Sequence, residues 1–92
     1  MYGIVFNKID IIKDQIEELL AFCIGETEEQ ALEVFRKIEN HYTEHKGQPE
    51  VVIDLVDKNR TILHDYSLTY SHAKELAFSM GWDIEKNELI NQ

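Results

Sequence analysis

The chain has 92 residues, enough for a single domain over 1–92 with one modest core, and its 43% hydrophobic and 10% aromatic content is that of a folded rather than a disordered protein. Eighteen acidic residues against nine basic ones leave a net charge of −9, which argues against direct binding to nucleic acid or to an anionic membrane, because both call for basic surface. No apolar run reaches the ~18 residues of a membrane span, the opening MYGIVFNKID lacks the pattern of a secretory signal, and the lone Cys23 permits no internal disulfide, so a cytoplasmic protein is expected.

In chain order, Met1–Asn7 alternates, with Tyr2, Ile4 and Phe6 on one side of a short strand. The period then changes. Ile9, Ile12, Ile16, Leu19 and Cys23 recur every three or four residues, which predicts a helix of about four turns ending at Gly25. Thr27-Glu28-Glu29-Gln30 reads as a capping box opening a second helix, with Ala31, Phe35, Ile38 and Tyr42 as its apolar stripe, running to His45 or Lys46 before Gly47-Gln48-Pro49. The short connection makes these two helices antiparallel neighbours. Ile16 and Phe35, central on their stripes, are expected in the core.

Val51–Val56 is a β-branched run and Thr61–Tyr66 its return strand, joined by Asp57-Lys58-Asn59-Arg60, in which Asn59 suits the left-handed region. Thr69 caps a third helix carrying Ala73, Leu76, Ala77 and Met80, with Gly81 past its end and Trp82 folded back on it. Trp82-Asp83-Ile84 adds a short strand, and Asn87–Gln92 reads as a frayed tail. Neither an internal repeat nor a low-complexity segment is visible. The expected architecture is α+β: an N-terminal antiparallel helical hairpin, a β-hairpin extended by one or two short strands, and a third helix packed on the sheet.

The spacing Thr69-x-x-x-Ala73-x-Glu75-Leu76-Ala77-x-x-x-Gly81-x-Asp83-Ile84, following a hairpin, is similar to part of the N-terminal domain of bacterial translation initiation factor three. The resemblance covers about 35 of the 92 residues and implies a hairpin–helix–strand unit. That family binds ribosomal RNA. This chain is acidic, and no function is carried over.

Three groups of residues invite a chemical reading. His41-x-x-Glu44-His45 matches the H-x-x-E-H signature of one class of zinc peptidases. On a helix its histidines, four apart, would share a face and hold one metal with Glu44 as base. A catalytic zinc needs a third protein ligand and a cleft, and nothing marks either, so the motif reads as a helix end whose histidines complement the dipole. His64 and His72 read as packed or edge residues, Cys23 as a small apolar side chain, and the four glycines form no phosphate-binding cluster. No catalytic residue, metal ligand or cofactor is therefore assigned.

The third group is the acids. Between Asp10 and Glu33 lie Asp10, Asp14, Glu17, Glu18, Glu26, Glu28, Glu29 and Glu33 against the single base Lys13, which places seven of the nine net negative charges in 24 residues. On the expected helices these acids form a stripe opposite the apolar face and continue round the helix turn. They are the expected partner-binding residues. The function they indicate is a small acidic, non-catalytic interaction protein that occupies a basic surface of a partner, in its sharpest form a DNA-mimicking, phage-type inhibitor of a host DNA-binding protein. The alternative is a structural or regulatory homodimer whose acidity serves only solubility, since Ile11 and Phe22 lie off the main stripe. A small metal-dependent enzyme using His41, Glu44 and His45 is the remaining class.

Overall fold

The computed structural model describes residues 1–90. Strand β1 (Tyr2–Asp10) and strand β2 (Gln15–Gly25) form a long hairpin, followed by helix α1 (Glu28–His41). Strands β3 (Val51–Val56) and β4 (Ile62–Leu68) form a second hairpin, followed by helix α2 (Tyr70–Ser79). Two short strands, β5 (Trp82–Asp83) and β6 (Glu88–Leu89), pair with each other. The sheet order is β2-β1-β3-β4 and every pairing is antiparallel. The chain thus repeats a strand–strand–helix unit, and the two units meet along β1 and β3.

The expected N-terminal helical hairpin is overturned: the first element is a strand, the main sheet has four strands, and there are two helices among the described residues. The residues given to a first helix are the end of β1, a tight turn, and β2. Ile9 and Ile16 are cross-strand partners, Ile12 sits in the turn, Cys23 faces outward opposite Gly3, and Leu19 is the extra residue of a bulge between the pairs Phe6–Leu20 and Asn7–Glu18. A bulge shifts the two-residue alternation by one position. Here the bulge accounts for the three-residue step from Ile16 to Leu19, and the turn accounts for the steps from Ile9 to Ile12 and Ile16. The β-branched run of isoleucines agrees with the strand. Ile16, expected in the core, is 70% exposed.

From Thr27 onward the chain is nearer to expectation. Both bonds of the capping box between Thr27 and Gln30 form, and Ala31, Phe35 and Ile38 are buried. Gly25 ends no helix. It lets β2 pass close to α1, where an added Cβ would lie 2.9 Å from the amide of Ala31. Helix α1 stops at His41, not at His45 or Lys46. Tyr42 turns extended, the hydroxyl of Tyr66 donates to the carbonyls of Tyr42 and Glu39, and the His45 amide donates to Ser67 at 2.8 Å. Those bonds serve helix-end carbonyls and tie the following segment to β4. In the β3–β4 turn, Asp57 accepts from the amides of Asn59 and Thr61, and Arg60, not Asn59, takes the left-handed conformation. Thr69 caps α2, and Gly81 lies beyond its end at φ 96°. The hairpin–helix–strand order is present, but β5 joins β6 and not the main sheet. Of the expected tail, Glu88–Leu89 is paired and Ile90 donates to Gly81, while 91–92 lie outside the described residues.

One face of the sheet makes the core. Ile4 and Phe6 of β1, Leu20 of β2, Val51, Ile53 and Leu55 of β3 and Leu68 of β4 pack with Phe35, Ile38 and Tyr42 from the α1 side and with Ala73, Leu76 and Ala77 of α2. Helix α1 lies on β1, β2 and β3, and α2 on β4. The opposite face carries Gly3, Val5 and Asn7 of β1 with Val52, Asp54 and Val56 of β3.

Phe35 is 1% exposed, so Phe35→Ala should cost about 3–5 kcal/mol in chemical denaturation. Ile16→Ala should fall within about 0.5 kcal/mol of the parent. A large loss for Ile16→Ala would restore it to the core and refute the strand assignment.

Candidate functional site

The eight acids singled out by sequence do not form a helical stripe. Asp10 ends β1 and its carboxylate accepts from the Lys13 amide at 3.1 Å, closing the hairpin turn. Asp14 lies in that turn at φ 51°. Glu17 and Glu18 sit on β2, an outer strand of the sheet, opposite Lys8 and Asn7. Glu26 lies in the β2–α1 connection, and Glu28, Glu29 and Glu33 are on α1, with Glu28 and Glu29 in its first turn. They belong to one hairpin and the helix packed against it, but the eleven-residue length of β2 separates Asp10 and Asp14 from Glu26, Glu28 and Glu29, and Glu18 turns to the sheet face opposite α1. All are exposed except Asp10, which is half-buried. Of the eight, only Glu18 and Glu33 are in ion pairs among the described residues, with Arg60 and Lys37.

The uncovered sheet face adds acids that sequence reasoning passed over. Asp54 and Asp65 are direct cross-strand partners, and Asn7 on the neighbouring strand donates to Asp54 at 2.8 Å. Like charges placed opposite each other on a sheet repel. Burial raises the Asp54 carboxyl above its ordinary value, the Asp65 charge raises it further, and the Asn7 bond opposes both. Arg60, in the β3–β4 turn, reaches Glu18 on β2, an ion pair that crosses β1. Alternation within Val51–Val56 carried the signal: Asp54 interrupts the run on the face opposite Ile53 and Leu55.

Because α1 ends at His41, the two histidines of His41-x-x-Glu44-His45 do not share a helical face. The His41 ring sits edge-on to Tyr42, with centres 4.6 Å apart, beside a cleft of about 440 Å³ between the helices. There the Tyr42 hydroxyl donates to Glu75 at 3.1 Å, and burial, followed by that carboxylate, raises the Tyr42 phenol. His45 lies elsewhere, with Nε2 2.8 Å from the Gln48 carbonyl. It lines an open groove of about 770 Å³ together with Lys8, Ile9, Gln48, Pro49, Glu50 and Tyr70. The Lys8 ammonium stands 5.8 Å from the Tyr70 ring centre, and Glu50 accepts from the Tyr70 amide. Glu44 is exposed and lines neither place. No group of three His, Cys, Asp or Glu side chains among the described residues is arranged to hold a metal. No helix among them is long and apolar enough to cross a membrane.

No protein-family model matches the chain, and comparison with curated proteins and with solved structures returns no match. Charge, exposure and shape are therefore what the functional reading rests on.

The raised carboxyl of Asp54 fixes a pH dependence. An acid whose folded value lies above its unfolded value contributes stability that is present below the unfolded value and lost as pH rises through the folded one. Asp54→Asn should therefore be more stable than the parent near neutral pH and indistinguishable from it near pH 3, below the ordinary carboxylate value of ~3.9. Urea midpoints across that range test this, and a destabilised Asp54→Asn at neutral pH would show that the pair is not repulsive.

Proposed function

We propose that the protein is a small, acidic, non-catalytic interaction protein of the cytoplasm, whose β1–β2 hairpin and α1 dock on a basic surface of a nucleic-acid-binding protein. Its sharpest form is a DNA-mimicking inhibitor of the kind phages direct at a host. The observation that carries this reading is the grouping of eight acids on one hairpin and its adjoining helix, largely exposed and largely without ion-pair partners among the described residues. Exposed charges of one sign steer encounter with an opposite surface and make binding sensitive to salt. A second reading, a homodimeric structural or regulatory module whose acids only confer solubility, is favoured by the exposed Ile11, Ile12 and Ile16.

Capture of a basic nucleic-acid-binding protein should succeed at about 0.1 M salt, fail near 1 M, where the screening length falls from about 10 to about 3 Å, and be competed by duplex DNA. Glu17→Lys, Glu26→Lys and Glu33→Lys together should abolish capture with the circular dichroism unchanged. All three are exposed and none caps a turn. The matched control is Glu44→Lys, Glu85→Lys and Glu88→Lys, exposed acids outside the 10–33 segment. Equal loss in both triple variants would reduce the effect to net charge. Unchanged capture in the first would remove these acids from the function, and a dimer that binds no basic protein would establish the second reading.

A further inference from the structure

Beyond Lys8, β1 has no partner on β3, and apart from one bond from the Ile9 amide to the Glu50 carbonyl the β1–β2 hairpin continues out of the sheet paired only with itself. Its end is apolar where a projecting hairpin would ordinarily be polar. Ile12 is 98% exposed, Ile16 70% and Ile11 47%, while Asp10, Asp14, Glu17 and Glu18 lie within the same short stretch against Lys13 alone. These isoleucines lie outside the buried core.

We infer that the tip is an anchor: Ile12, with Ile11 and Ile16, enters an apolar pocket on the partner, and the surrounding acids meet a basic rim. This rests on the acidic docking reading and deepens it, naming the partner's surface as an apolar pocket ringed by lysine or arginine. The occupant follows from charge complementarity. A second copy of this chain would press Asp10, Asp14 and Glu17 against their own counterparts, with Lys13 beside them and only Glu18 already paired, to Arg60, and like charges brought together at an interface cost affinity. A basic partner turns that ring into attraction. The arrangement is that of an interface in which a few central apolar side chains carry most of the affinity and a charged rim sets orientation and rate.

Two short peptides of equal length and equal positive charge, one alternating lysine with leucine and one alternating lysine with serine, serve as probes in isothermal titration against the full chain. The leucine peptide should bind about ten- to a hundredfold more tightly, the range expected for burial of one isoleucine. Ile12→Ser should remove most of that difference and leave the affinity for the serine peptide and the thermal midpoint unchanged, because a side chain that exposed cannot hold the fold together. Ile12→Ser with Ile16→Ser should remove it entirely. Equal affinity for both peptides, with both weakened by salt, would overturn the anchor and leave the acidic surface standing. Binding of neither peptide would overturn both. A difference that survives the double variant would overturn the anchor by placing the apolar contact elsewhere. Sedimentation of the parent as a dimer and of Ile12→Ser as a monomer would overturn it in favour of a second copy as occupant.

Discussion

Every other feature of the molecule depends on the antiparallel pairing of β1 with β3. Each strand belongs to its own strand–strand–helix unit, and a unit of about 40 residues is at the size where a single core is marginal on its own. Joined at β1 and β3, the units place Ile4 and Phe6 beside Leu55 and Ile53, all fully buried, on the face that both helices cover. The same register sends Val5, Asn7 and Asp54 to the other face. One pairing therefore decides both where the core lies and which residues turn to the face that carries no helix.

What was legible in the sequence followed local chemistry. The Thr27–Gln30 capping box, the Thr69 cap and the glycine beyond α2 each depend on a few neighbouring residues, and each is where local rules put it. The region 9–25 was not legible, because the Leu19 bulge exists only in the pairing of β2 with β1, and no window on β2 alone reveals that a residue has been left out of step. The end of α1 is a similar case. Its stop is set by the Tyr66 hydroxyl and by the β4 carbonyl of Ser67, both more than twenty residues away. The acids were legible as a concentration of charge but not as a surface. The charge count located Glu17 and Glu18 without their strand, and it missed Asp54 and Asp65, whose closeness arises from β3–β4 register.

The uncovered face sits between two demands. A sheet face with no covering layer is ordinarily polar, and here it is made so partly by carboxylates that repel. Asn7 lies between Glu18 and Asp54 in the sheet and binds the latter, and Arg60 crosses to Glu18, so each strained acid but Asp65 has one neutral or positive neighbour. That arrangement limits the repulsion without removing it. The acids on this face and those on the hairpin and α1 share one consequence, an electrostatic field of a single sign over much of the surface.

Part of that field has an explanation that needs no partner. Strand β2 is an outer strand eleven residues long, and free edges of that length invite pairing with other chains. Glu17, Glu18 and the Leu19 bulge are the kinds of device that discourage it. Glu28 and Glu29 stand in the first turn of α1, where negative charge complements the helix dipole. Neither argument reaches Glu26, Glu33 or Asp14. Nor does edge protection account for the hairpin's end, since a strand guarded against association gains nothing from an isoleucine that is 98% exposed at its tip. In the docking reading proposed above, charges that repel copies of the chain surround an apolar point that attracts, a combination suited to a partner of the opposite charge. Solubility alone would have asked for the charges and not for Ile12.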